Sequence, residues 1–144
     1  MSDTSTLLLV IMAAVLVSMV LAIVIVRRSQ VRASRALADL GGATLTTAAT
    51  GMGMSGVDAP PLRGTGTLAL TDTDVAFAQW RPEHLLRIPR SAITGIEATR
   101  EHLDRTLKTD VLRITWREPG AGGGAERSVA FFIRDLDPWL AALA

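Results

Sequence analysis

The chain has 144 residues, no cysteine and a formal net charge of +1, which excludes a disulfide framework, a thiolate metal centre and a thiol nucleophile. Residues 36–144 carry 11 basic against 13 acidic side chains, while residues 27–35 hold four arginines and no acid. The net positive charge is concentrated in one short segment, and the remainder lacks the basic footprint of a nucleic-acid binder.

Residues 1–6 form a short tail whose only charge is Asp3. Leu7 to Val26, LLLVIMAAVLVSMVLAIVIV, follows with no charge and one hydroxyl, Ser18. That is the length a helix needs to cross a bilayer core, and a run apolar on every face would otherwise need a much larger domain to bury it. A cleaved secretory signal fits poorly, because the preceding residues are acidic and Arg27 and Arg28 stand where cleavage would fall. The bias in positive residues predicts a single-pass protein of the cell membrane, N-terminus outside and C-terminal domain in the cytoplasm. Inside the span, Ala14, Ser18 and Ala22 make a small-residue stripe suited to close packing against another membrane helix.

Arg27, Arg28, Arg32 and Arg35 then flank the span. They are a stop-transfer signal and a candidate surface for anionic lipid. The helix is expected to continue through VRASRALADL as a basic juxtamembrane stalk over 27–42, stopped by Gly41 and Gly42. Ala33, Leu37 and Leu40 give it a weak apolar stripe for a partner helix or the domain. Residues 43–63 turn to Thr, Gly and Pro and read as a linker with one possible strand near Leu45 to Thr50. Gly51, Gly53 and Gly56 spell GxGxxG, but Val57-Asp58-Ala59-Pro60-Pro61 cannot begin the helix that a dinucleotide site requires. No cofactor is expected.

From Gly64 the pattern is β. Thr65–Leu70 and Val75–Trp80 form a hairpin across the Thr71–Asp74 turn, with Leu68, Leu70, Val75 and Phe77 inward. His84–Pro89 and Ile93–Arg100 follow, Gly95 marking a bulge. Asp110–Arg117 turns Leu112, Ile114 and Trp116 inward and leaves Val111, Arg113, Thr115 and Arg117 on a mostly wet face. Pro119–Glu126 reads as a mobile loop, and Ser128–Arg134 returns with Val129, Phe131 and Ile133 inward. Asp137-Pro138 opens a short helix with Trp139, Leu140 and Leu143 on one face.

The order of strands, the IPRSAI segment from Ile88 to Ile93, Trp116 ending a late strand and the Trp-bearing terminal helix together resemble bacterial pleckstrin-homology-like (PH-like) domains. The resemblance covers Gly64 to Leu143. It implies a small mainly-β barrel over 64–144 whose terminal helix plugs one end with Trp139 and Leu143, so that the fold class is a single-pass transmembrane α-helix plus an antiparallel PH-like barrel. Members that bind phosphoinositides use basic residues between the first two strands. The corresponding Thr71–Asp74 turn is acidic here, so that ligand is not implied.

Enzyme signatures are absent. Glu101, His102 and Asp104 make a weak metal set, and Ser91, His84 and Asp104 lack a nucleophile turn. No catalytic residue, metal or small-molecule substrate is expected. Trp80 and Arg81 at a strand end, and Phe132 opposite the core, are candidate partner contacts. The expected function is a membrane-anchored, non-catalytic interaction module that binds a protein or the anionic inner leaflet. The alternative is an accessory subunit docked in a larger membrane complex through Ala14, Ser18 and Ala22.

Overall fold

A computed structural model describes residues 2–39, 42–56, 62–118 and 124–144. The first element is one unbroken helix, α1 (Ser2–Ala38). It is long and apolar enough to cross a membrane, and none of its apolar window is buried by the rest of the chain. Leu40 and Gly41, the last residue of the expected stripe and part of the expected stop, lie outside the described residues.

Seven strands follow: β1 (Leu45–Met54), β2 (Arg63–Leu70), β3 (Asp74–Gln79), β4 (His84–Pro89), β5 (Ile93–His102), β6 (Arg105–Arg117) and β7 (Glu126–Ile133), then α2 (Asp137–Leu143). All pair antiparallel in one sheet of order β4-β3-β2-β1-β7-β6-β5. The sheet curls into a half-barrel. Leu86 and Ile88 from one edge strand and Ile93 and Ile96 from the other pack on the same core, together with Trp139, Leu140 and Leu143 of α2. A 3-10 turn, Arg90–Ala92, joins the two edges.

The inward rows are those the alternation predicts. Leu68, Phe77, Ile88, Leu112, Ile114, Val129 and Phe131 are almost fully buried, and the Phe77 and Phe131 rings meet at 4.8 Å between centroids. Burying such side chains is the main favourable term in folding.

The principal correction concerns residues 43–63. The possible strand near Leu45 to Thr50 is present, but it is longer than expected and central to the sheet rather than part of a linker: β1 runs to Met54 and pairs with both β2 and β7, so the β sheet begins at Leu45 rather than Gly64. The connection between the first two strands is therefore 55–62, not Thr71–Asp74. Within it, Val57 to Pro61 lie outside the described residues, as does most of the expected loop at 119–123. Two glycines of GxGxxG, Gly51 and Gly53, lie within β1. Gly53 takes φ +104° where the β1/β7 register shifts between Gly51 and Met54, a conformation that favours glycine. Gly66 is needed for a different reason: a Cβ there would lie 2.4 Å from the Ala78 carbonyl oxygen and 2.8 Å from the Phe77 ring.

Two smaller corrections follow. Val111, placed by alternation on a wet face, is 1% exposed. β5 and β6 run longer than expected, meeting at a tight turn where Leu103 and Asp104 both have positive φ. The β5–β6 hairpin carries cross-strand ion pairs, Glu97 with Arg113 and Arg100 with Asp110.

Candidate interaction surfaces

The far end of α1 does not stand free of the domain. Ala33 and Leu37 are buried against Ala69, Ala76 and Ala78, with Trp80 packed at the margin. These alanines occupy the outward positions of β2 and β3, between the inward Leu68, Leu70, Val75 and Phe77. A row of methyl groups lets a helix approach the sheet closely. Both faces of β2 and β3 are covered, and every residue of β3 is buried. The stalk thus folds onto the domain, and the stripe that the sequence offered to a partner helix or the domain goes to the domain.

Polar contacts complete this seam. Ser29 is buried and its hydroxyl donates to the Ile25 carbonyl at 3.1 Å. Arg32 donates to Glu83 at 2.7 Å, though both side chains are more than half exposed, so this pair adds little stability. Trp80 Nε1 donates to Thr67 Oγ1 at 3.2 Å. Gln79 Nε2 donates to the carbonyls of Arg81 and Pro82, ordering the β3–β4 turn.

The four candidate lipid-facing arginines divide accordingly. Arg32 is committed to Glu83, whereas Arg27, Arg28 and Arg35 have no ion pair among the described residues. Arg27, Arg28, Val31, Arg32 and Arg35 line one shallow surface of the helix. Ala14, Ser18 and Ala22 remain exposed, and the Ser18 hydroxyl donates to the Ala14 carbonyl at 2.8 Å. Phe132 projects outward, 44% exposed, and stands in register with Thr50 of β1 and, beyond it, Thr65 of β2, one strand away from the seam.

His102, from the weak metal set, is buried, with Nε2 2.7 Å from the Gly53 carbonyl oxygen. A carbonyl only accepts, so Nε2 carries the proton. The ring pins the β5–β6 hairpin to the β1 bulge. The signal was available only in three dimensions, since nothing near His102 in sequence announces Gly53. Ser91 lies in the turn after β4 and His84 at its start, so the two stand at opposite ends of that strand and do not converge. Among the described residues no three His, Asp or Glu side chains gather as metal ligands.

At the other end of the half-barrel, the Thr71–Asp74 turn is structural. Thr71 Oγ1 accepts from the Asp74 amide at 3.0 Å, and the Thr73 hydroxyl donates to Asp74 Oδ2 at 2.7 Å. Arg87 donates to the same oxygen at 3.1 Å. The Thr73 hydrogen bond, helped by Arg87 and opposed by burial, holds the Asp74 carboxyl below its ordinary pKa. Arg90 then spans from the Thr71 carbonyl to the Ala142 carbonyl of α2, tying the terminal helix to the turn.

The result is a class of architecture, one long apolar helix fixed by its end to a curled seven-stranded half-barrel. No protein-family model, curated protein or solved structure matches the chain.

Proposed function

We propose that this chain is a single-pass, membrane-anchored, non-catalytic interaction module: a PH-like domain on the cytoplasmic side that engages a protein partner or the anionic inner leaflet. The observation that carries the reading is the continuity of α1. The same helix passes through the charge-free run and into the seam on β2 and β3. The domain is thereby held beside the bilayer in one pose, where it meets membrane-bound partners at high effective concentration. The strand order and the plug helix α2 support the PH-like assignment. The Arg27–Arg35 flank supports the cytoplasmic orientation. The connection between β1 and β2, residues 55–62, contains Asp58 and no Lys or Arg, so a basic first loop is no part of this proposal, and neither is a cofactor, a metal or nucleic acid.

The second reading, an accessory subunit docked through its membrane helix, is favoured by one observation. The Ala14, Ser18, Ala22 stripe is exposed and its only hydroxyl is satisfied within the helix, leaving a smooth surface for another helix. Cross-linking and gentle-detergent capture of the full chain separates the two. Capture lost in Arg81→Glu/Phe132→Ser but kept in Ala14→Leu/Ser18→Leu/Ala22→Leu identifies the domain as the contact surface. The reverse identifies the helix. Release of the chain from membranes by carbonate defeats both.

A further inference from the structure

The direction in which α1 lies on the sheet decides which end of the half-barrel looks back toward the apolar run. Val26 and Ser29 line a cleft with Thr65, Trp80 and Arg81, and Arg32 reaches Glu83. Leu37, farther along the helix, lines another with Thr67 and Ala69. β2 therefore starts near the apolar run and leads away from it. Antiparallel pairing brings Met52 of β1 to the same end, opposite Arg63, and the His102 contact with Gly53 brings the β5–β6 turn there too. Arg63 lies two strand residues beyond Thr65, about 7 Å. Ser29 is three helical residues, about 4.5 Å, from Val26. This end of the sheet thus reaches at least as far as the last residues of the charge-free run.

Its side chains have an interfacial composition. Leu103 projects at the β5–β6 turn, 37% exposed, and Trp80 is half-buried at the β3–β4 turn. Arg63, Arg81 and Arg105 have no ion pair among the described residues. A cleft of about 280 Å³ opens between Arg63 and Arg105, lined also by His102 and Leu103. Glu101 and Asp104 are the neighbouring acids on the hairpin, and Glu83, paired to Arg32, follows Arg81. The far end is closed by α2 and carries Asp72, Asp135 and Asp137 together with Arg90 and Arg134.

We infer that this end is a bilayer-contact rim, with Leu103 among the lipid headgroups and Arg63, Arg81 and Arg105 paired to phosphates of the leaflet that α1 enters. The inference rests on the proposed membrane-spanning role of α1. An exposed apolar side chain ringed by guanidinium groups matches the headgroup layer, where both find partners. The seam holds the rim there without requiring the domain to search for it.

The chain lacks cysteine, so single labels report position cleanly. The full chain carrying Leu16→Cys, Leu103→Cys, Arg105→Cys or Asp72→Cys, each with an environment-sensitive fluorophore, is reconstituted in phosphatidylcholine vesicles with and without phosphatidylglycerol. Headgroup and mid-chain nitroxide lipids serve as quenchers. The expected result is about twofold or greater headgroup quenching at positions 103 and 105, stronger with phosphatidylglycerol, mid-chain quenching at 16 and none at 72. Arg105→Cys stands in should Leu103→Cys fail to fold. Quenching at 16 with positions 103 and 105 in water overturns the rim and leaves that end to a protein partner. No quenching at 16 overturns the spanning helix itself, and the rim with it.

Discussion

Asp74 illustrates how one carboxylate can look like a turn signal in sequence and act as a buried anchor in the fold. Its pKa is depressed by the Thr73 hydroxyl first and by Arg87 after it. A depressed carboxylate contributes stability above its unfolded pKa, about 3.9, and that contribution is lost as pH falls through the lower folded value. Asp74→Asn should therefore lower stability near neutral pH by about 1.5–3 kcal/mol, the scale of a hydrogen bond to a charged group. The gap to the unsubstituted chain should close on acidification below about pH 4. Thermal unfolding of both chains at several pH values measures it; a constant gap down to pH 2 would show that the carboxylate charge is idle. His102 is the complementary case, a polar residue whose burial depends wholly on a carbonyl 49 positions earlier.

Among the elements, the hairpins were legible because strict alternation has one physical meaning, an inward apolar row and an outward polar one. β1 was legible only in part, as a possible strand near Leu45 to Thr50. LTTAATGMGM is built of small residues, threonines and glycines with few large apolar side chains to mark an inward row, and its central position comes from partners on both sides. The seam was half visible. Ala33 and Leu37 were a weak stripe, and the clue to their destination lay in TLAL and VAFA, where apolar residues fill both faces of a strand that alternation alone would leave wet on one side. The burial of Ala76 fixes a prediction. Ala76→Leu overpacks the seam, costing about 1–3 kcal/mol, and frees the stalk while the inner core, a separate cluster, stays folded. Tryptic cleavage after Arg35 should accelerate and tryptophan emission should shift to the red. Unchanged cleavage would mean that the helix end is not held by this contact.

For the whole molecule, the candidate surfaces were legible as residues but not as an arrangement. Arg27, Arg28, Trp80, Arg81 and Phe132 stood out in sequence, yet only the docking of α1 sets their common orientation. A helix joined rigidly to the domain transmits phase. Two alanines inserted between Val26 and Arg27 turn the membrane helix by about 200° relative to the domain, and four by about 400°, which nearly restores the original face. Capture of a membrane partner that touches both parts should fall with two residues and recover with four. Equal capture at every length would describe a freely swinging domain. The outer edge of β5 bears on the same crowded setting. Backbone groups at an open sheet edge invite a neighbour to add a strand, and confinement to a two-dimensional layer multiplies such encounters. Glu97 and Arg100 place charge on that strand, paired inward to Arg113 and Asp110 of β6, and an incoming ribbon would have to desolvate it. Addition of a further strand at this edge is thereby disfavoured.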